Sequence, residues 1–468
     1  MFKKFKSFMQ KVVSKMFNKG TIQEALKVDV AVSNQMANAI DLWSMIYENK
    51  APWLNNNVKS LNLGATISSE VARMVTIEFQ SEITKNDYLN EQYQRVLKDL
   101  RRYVEYGCAK GGLVFKPYID GEEIAVDYVQ ADKFYPTQYN SKGEVTAAVF
   151  LEQKIEGKKT YTRLEYHQLT DRGYIINNTA YVNETALIGN NSNGDLGKPI
   201  ALTEVDEWAS LEPSTTITNV NKPLFAYFKI PFANTIDFSS PLGTSIYSRS
   251  IDLIKQADEQ WGRILWEYEG SELAIDVDVT AFRKDEHGNF NIPQGKERLY
   301  RRIDLDDNNS KWNVFSPAIR DSAYFNGLNN ILKRIEFNCG LSYGTISDPQ
   351  EVDKTATEIV SSKQRMYSTV NDIQGALESA LNDLIYAMSV WAKLAGLSID
   401  GYEVSYNWDD SIVVDKDTEL ASMQADVAAG IIRPELYIMK KYGVTEEEAI
   451  KMMPKVDNTL TKSPFDEE

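Results

Sequence analysis

Histidine is almost missing from this chain: among 468 residues there are only His167 and His287. Histidine is the commonest acid–base group and zinc ligand, so its scarcity argues against most hydrolase and metalloenzyme chemistry, though not against catalysis by carboxylates. Cysteine is as rare. Cys108 and Cys339 stand far apart, belong to no CxxC or other ligand spacing, and read as buried thiols of a reducing compartment. No stretch approaches the roughly 18 apolar residues of a membrane span. The N-terminus lacks the continuous apolar block and small-residue cleavage site of a signal peptide. There is no GxxxxGK[ST] phosphate loop and no GxGxxG between a strand and a helix. Positive charge is outnumbered, 51 Lys and Arg against 67 Asp and Glu, for a net −16. A protein that grips duplex DNA presents basic surface to its phosphates. This chain as a whole does not, which leaves room for one that touches DNA weakly and must not hold it.

What the chain does have is 43% hydrophobic residues, enough for real cores, and a length that implies several domains. The most telling stretch is 318–395. Tyr324, Leu328, Ile331, Leu332 and Ile335 mark one face of a helix that Gly340 stops, since glycine accepts a left-handed conformation cheaply. A polar loop follows. Thr355 and Glu358 then form a capping box that opens a second helix. Its face, Met366, Val370, Ile373, Leu377, Leu381, Leu384 and Met388, runs without proline to about residue 395. Such a helix is roughly 60 Å long if straight, and that length points to an elongated or multi-subunit architecture.

Residues 21–110 read as mostly helical, with one apolar pattern over 67–77 and another over 88–106. At Gly111-Gly112 the period changes to alternation. Leu113–Tyr118, Glu123–Val129, Val145–Glu152 and Thr160–His167 read as strands of a β-rich region over about 110–235, with hairpin turns at Asp120-Gly121 and Lys142-Gly143. Helical spacing resumes after Ser-Ser-Pro-Leu-Gly243 and runs to about Tyr268. A strand insertion follows over 273–314, with turns at His287-Gly288 and Gln294-Gly295. A short strand over 402–408 and small helices over 420–453 close the chain, with 461–468 read as a disordered tail.

Candidate chemistry is thin. Gly340-Leu-Ser-Tyr-Gly344 fits GxSxG, but it follows a helix and both histidines precede Ser342, the wrong order for a nucleophile elbow. Asp304, Asp306 and Asn308 open like a calcium loop, yet Asn309 and Phe315 replace its glycine and distal glutamate. Asp409-Asp410 is a plain acidic pair, and the 25 Tyr and 8 Trp of a carbohydrate enzyme come without a convergent acid pair. Two basic features depart from the overall charge. One is the lysine-rich stretch 1–20, which suits an anionic partner or simply a solvated helix. The other is Arg283, Lys284, Lys296, Arg298, Arg301 and Arg302 in the insertion, a docking surface or the exposed face of a hairpin.

Three segments carry a resemblance: Asn62-Leu-Gly-Ala-Thr-Ile-Ser-Ser-Glu-Val-Ala-Arg73, Ser240-Pro-Leu-Gly-Thr-Ser-Ile-Tyr247, and Gly340–Ser347 with Asp353-Lys-Thr-Ala-Thr-Glu-Ile-Val360. In their order over roughly 40–460 the chain resembles the portal proteins of tailed bacteriophages, the type found in siphophages of Gram-positive hosts. The resemblance implies an α+β portal fold: a mainly helical stem and crown, a β-rich wing and a small α/β clip. It implies a basic arm 1–40, wing 41–243, stem helices 244–269 and 318–340, clip 270–317, tunnel loop 341–354, a wing-crossing helix 355–400 kinked at Gly375, and a crown over 401–460. It also implies a homo-oligomeric ring of about twelve copies at a capsid vertex, without enzymatic activity or cofactor. Double-stranded DNA would pass Ser342, Thr345, Ser347, Asp348, Glu351, Asp353 and Lys354. Partners would be the large terminase and head–tail adaptor at the clip, with major capsid and scaffold proteins around it, and no membrane. Another capsid or adaptor protein is the alternative, and a carboxylate glycosidase a weaker one.

Overall fold

The computed structural model describes residues 19–184, 196–271, 274–278, 300–303, 312–315, 318–348, 356–397, 401–408, 416–442 and 444–453. They divide into two compact units, one of residues up to 77 with 81–406, the other of 78–80 with 407 onward.

The first unit opens with helices α1 (Lys19–Leu26), α2 (Asn34–Tyr47) and α3 (Leu63–Thr76), strand β1 (Phe79–Thr84) from Ser81 on, then α4 (Asp87–Lys98) and α5 (Leu100–Lys110). The Ser33 hydroxyl accepts from the Met36 amide at 3.1 Å and caps α2; the Asn86 side chain does the same for α4 through Leu89, at 2.8 Å. Two sequence expectations need correction here. The pattern over 88–106 is two helices, because Asp99 leaves helical geometry (φ −105°, ψ 5°) and ends one as it starts the next. Residues 79–84 form a strand whose Ser81 and Ile83 are buried between exposed neighbours, an alternation present in the sequence but hidden among helices.

The expected alternation after Gly111 holds. Strands β2 (Gly112–Asp120) and β3 (Glu123–Gln130) form an antiparallel hairpin. Next come β4 (Phe134–Tyr139), β5 (Val145–Glu156), β6 (Lys159–Thr170), β7 (Gly173–Asn183), β8 (Lys198–Ile200), β9 (Ser214–Ile217) and β10 (Ala226–Lys229). They build two sheets, one ordered β10-β2-β3, the other β4-β5-β6-β7-β8 with β9 also on β7. Gly111 anchors the Ser-Pro-Leu-Gly segment to this region. It sits at φ +90°, and a Cβ there would lie 2.6 Å from the Gly243 carbonyl oxygen; one on Gly243 would lie 2.2 Å from that of Gly111. Two backbones meet back to back, which only glycine allows. That contact is the physical reason for the glycine at the end of the segment.

Residues 244–247 are not helical as expected, and 248–250 make only a 3-10 turn. The Ile246 amide donates out of the segment to the Cys108 carbonyl (2.9 Å), the Tyr247 amide goes to the Ser245 hydroxyl (3.3 Å), and the Tyr247 phenol reaches the Trp43 carbonyl (2.8 Å). With these groups committed, helix α6 begins only at Ile251 and runs to Gly270. In the insertion, β11 (Ala274–Asp278) pairs in parallel with β12 (Tyr300–Ile303) and antiparallel with β13 (Trp312–Phe315). Helix α7 (Asp321–Asn338) returns alongside α6.

Helix α8 spans Ala356–Leu394, 39 residues, about 58 Å at the usual rise. Val370, Ile373, Leu377, Leu381, Leu384 and Met388 are all buried, as the spacing predicts, while Met366 is half-buried. The helix lies on β10 and β2 and against α3 and α4. It continues through Gly375, where a side chain would meet nothing. Strand β14 (Glu403–Trp408) begins in this unit, where the Ser81 hydroxyl donates to the Ser405 carbonyl at 2.9 Å.

In the second unit Phe79 stacks on Trp408 at 4.1 Å. Helices α9 (Lys416–Ala428), α10 (Pro434–Tyr442) and α11 (Glu446–Met452) follow. Gly430 (φ +73°) closes the first of them, and the Thr445 amide donates to Glu448 at 3.2 Å, capping the last.

Candidate functional site

The turn after α7 is the best-defined candidate. Gly340 ends the helix at φ +73°, and a Cβ there would strike Thr369 of α8 at 2.2 Å. The chain then curls back over its own helix. The carboxyl of Glu336, wholly buried, accepts from the amides of Gly344 (3.1 Å), Ile346 (2.7 Å) and Ser347 (2.8 Å) and from the Ser347 hydroxyl (2.8 Å). Among the described residues every contact it makes is a donor, three of the four being backbone amides whose dipoles compensate the buried group. Two turns earlier on the same helix, Asn329 grips Asp348 from both sides: its oxygen accepts from the Asp348 amide (2.8 Å) and its amide donates to the Asp348 carbonyl (3.3 Å). Helix α8 holds the other flank. Arg365 lies over Phe337 (4.4 Å) and Tyr343 (5.5 Å), and Ser342 donates to the Met366 sulfur (3.3 Å).

Four of the expected loop residues lie here. Ser342 and Thr345 are half-buried and pair with each other at 3.1 Å. Asp348 is exposed. Ser347 departs from expectation: only 5% of it is accessible, because its hydroxyl is committed to Glu336, so it faces inward. Glu351, Asp353, Lys354 and the cap Thr355 lie outside the described residues, and the side chain of Glu358 does as well. Of the insertion cluster, Arg301 and Arg302 fall on β12 with side chains outside the described set, as are Arg283, Lys284, Lys296 and Arg298. Asn329, Glu336 and Arg365 were not singled out from sequence. The signal was there for the first two: polar residues seven apart, flush with the apolar Leu328 and Ile335.

The insertion is closed at its base. Arg320, just before α7, forks onto Glu267 in the last turn of α6 (2.8 and 3.0 Å). The hydrogen bonds from Arg320 hold the Glu267 carboxyl below the usual carboxylate range.

A second polar cluster lies between the two sheets. Tyr174 meets His167 Nδ1 at 2.7 Å, His167 Nε2 meets Glu165 at 2.7 Å, and Glu165 takes Lys116 at 2.5 Å and Arg163 at 3.1 Å. Glu165 accepts at Nε2 as a carboxylate, so Nε2 carries the ring hydrogen and Nδ1 is left to accept from the Tyr174 phenol. Burial raises Glu165, but Lys116 above all pulls it well below the carboxylate range. Burial lowers His167 against the pull of Glu165. Every group is committed to a neighbour, so this is a structural knot rather than a catalytic relay. Its consequence is a pH dependence. A histidine whose folded pKa lies below its unfolded value of about 6.5 supports the fold fully above that pH and progressively less below it. The melting temperature should therefore fall between pH 7.5 and 5.5, and His167→Gln should flatten that slope; an unchanged slope in the variant would exclude His167 as its source.

Among the described residues no group of His, Cys, Asp and Glu could hold a metal ion, no helix is long and apolar enough to cross a membrane, and both cysteines are buried and free. A family model described as phage portal protein, SPP1 Gp6-like, matches residues 44–459. The chain belongs to that family. No curated protein matches it. The portal family is a structural one, so this portal protein is a bacteriophage virion component rather than an enzyme. The match spans both α7 and α8 and the turn between them.

Proposed function

We propose that this portal protein forms a ring of about twelve copies at one capsid vertex, through which double-stranded DNA is packaged and ejected, as in siphophages of Gram-positive hosts. The observation that carries the reading is the succession of α6, the three-stranded insertion clasped by Glu267 and Arg320, α7, the folded-back turn and α8, within a chain of the portal family. In this reading the two sheets and their flanking helices are the wing, α6 and α7 the stem, and 270–317 the clip that receives the large terminase and later the head–tail adaptor. Residues 341–354 face DNA, α8 crosses the wing with Gly375 as its point of bending, and 401–460 form the crown. Major capsid and scaffold proteins surround the ring.

The charge suits a conduit. Twelve copies at −16 each carry roughly −190, a field that disfavours lasting phosphate contacts and lets DNA slide. The basic residues of the insertion, Arg283 to Arg302, depart from that charge and suit an acidic partner. Negative-stain images of the purified protein should show rings with a central hole. A protein that stays monomeric under every assembly condition, scaffold protein included, would sink the reading.

A further inference from the structure

We propose that Glu336 and Asn329 are positioning residues of the DNA-facing loop, making residues 341–348 a fixed extension of α7. The proposal rests on the channel reading above. A loop that leaves a helix at a glycine would ordinarily be free from that glycine onward, because each residue ordered without partners loses conformational entropy uncompensated. Here the partners are supplied from below. Glu336 collects three amides and a hydroxyl within 3.1 Å while wholly buried. Asn329, also buried at 8% accessibility, holds both backbone groups of Asp348.

The two grips are two helical turns apart on one face of α7, so they fix both the near end and the far end of the segment. Removing either leaves a different signature, because Glu336 holds 344–347 and Asn329 holds 348. Neither side chain is exposed, so neither touches DNA; their effect on DNA reaches it only through where they put the loop. Asp348, the last residue of the fixed segment, is exposed, and the acids Glu351 and Asp353 follow it in sequence.

The test uses the assembled full-length protein. In Glu336→Gln the side-chain amide turns donors toward donors. Hydrogen exchange at Gly344, Ile346 and Ser347 should quicken about tenfold or more, with rings still visible by negative stain and fewer DNA-filled heads in phage carrying the variant. Asn329→Ser should quicken Asp348 alone, and it keeps the proposal testable if Glu336→Gln does not assemble. Unchanged exchange at these amides in assembled variants would overturn the fixed segment. Faster exchange with wild-type packaging would overturn its role in positioning while leaving the portal reading intact. Wild-type protein that never forms rings would remove the channel reading itself.

Discussion

Replacing Lys116 by methionine should destabilise the first unit by about 3 kcal/mol, the low end of what breaking a buried ion pair costs. Lys116 Nζ, on β2, lies 2.5 Å from Glu165 on β6 and 3.3 Å from Asp127 on β3, with its side chain 8% accessible. Burial opposes the lysine charge, but Glu165 and Asp127 outweigh it and raise its pKa. Lys116 thus ties the two sheets together across a buried seam. Methionine retains the packing over Phe150, which the ammonium now faces at 5.5 Å, so the loss reports charge rather than volume. Arg163, 3.1 Å from Glu165, remains as a partial counter-ion and keeps the effect from the upper end of the range. Combining Lys116→Met with Glu165→Gln should cost less than the two single changes together, with a coupling of about 1–3 kcal/mol. Urea denaturation at pH 7.5 measures both. Additivity within about 0.5 kcal/mol would show that the two groups do not act as a pair.

That cluster also shows where sequence reasoning stops. The strands of β2, β5 and β6 were legible because alternation and hairpin turns are local. Which polar residues turn inward was not. A lysine, a glutamate and a histidine on strands read as solvent-facing until two sheets close on them. The long helix was legible because its apolar period and its freedom from proline are local, and six of the seven residues on its expected face are buried. Gly340 announced the end of α7 for the same reason. The break at Asp99 and the delayed start of α6 were not visible, since the first is one residue leaving helical geometry and the second comes from bonds to Cys108 and Trp43 far away in the chain. Ser-Pro-Leu-Gly could be quoted as a motif, but its cause, the contact with Gly111, joins positions 132 residues apart in sequence. The loop residues were read as a polar set facing DNA, and the fold divides them: Asp348 outward, Ser347 inward on Glu336.

That division changes what a loop mutation means. Replacing residues 349–354 with a glycine–serine segment of equal length removes Glu351, Asp353 and Lys354 and leaves everything that Glu336 and Asn329 hold. Rings should form at the wild-type level and melt at the wild-type temperature, while phage carrying the change should lose DNA-filled heads. Deleting 343–352 has a second effect. It takes away the amides of Gly344, Ile346 and Ser347 and leaves the buried Glu336 carboxyl without donors, at a cost of about 1–3 kcal/mol per unsatisfied group. The deletion should therefore lower the melting temperature as well as packaging, and its packaging defect mixes two causes that the replacement separates. Normal packaging with the replaced segment would take residues 349–354 out of DNA handling. Equal melting temperatures for the deletion and the wild type would mean that the turn does not stabilise the buried carboxyl, whatever the loop does with DNA.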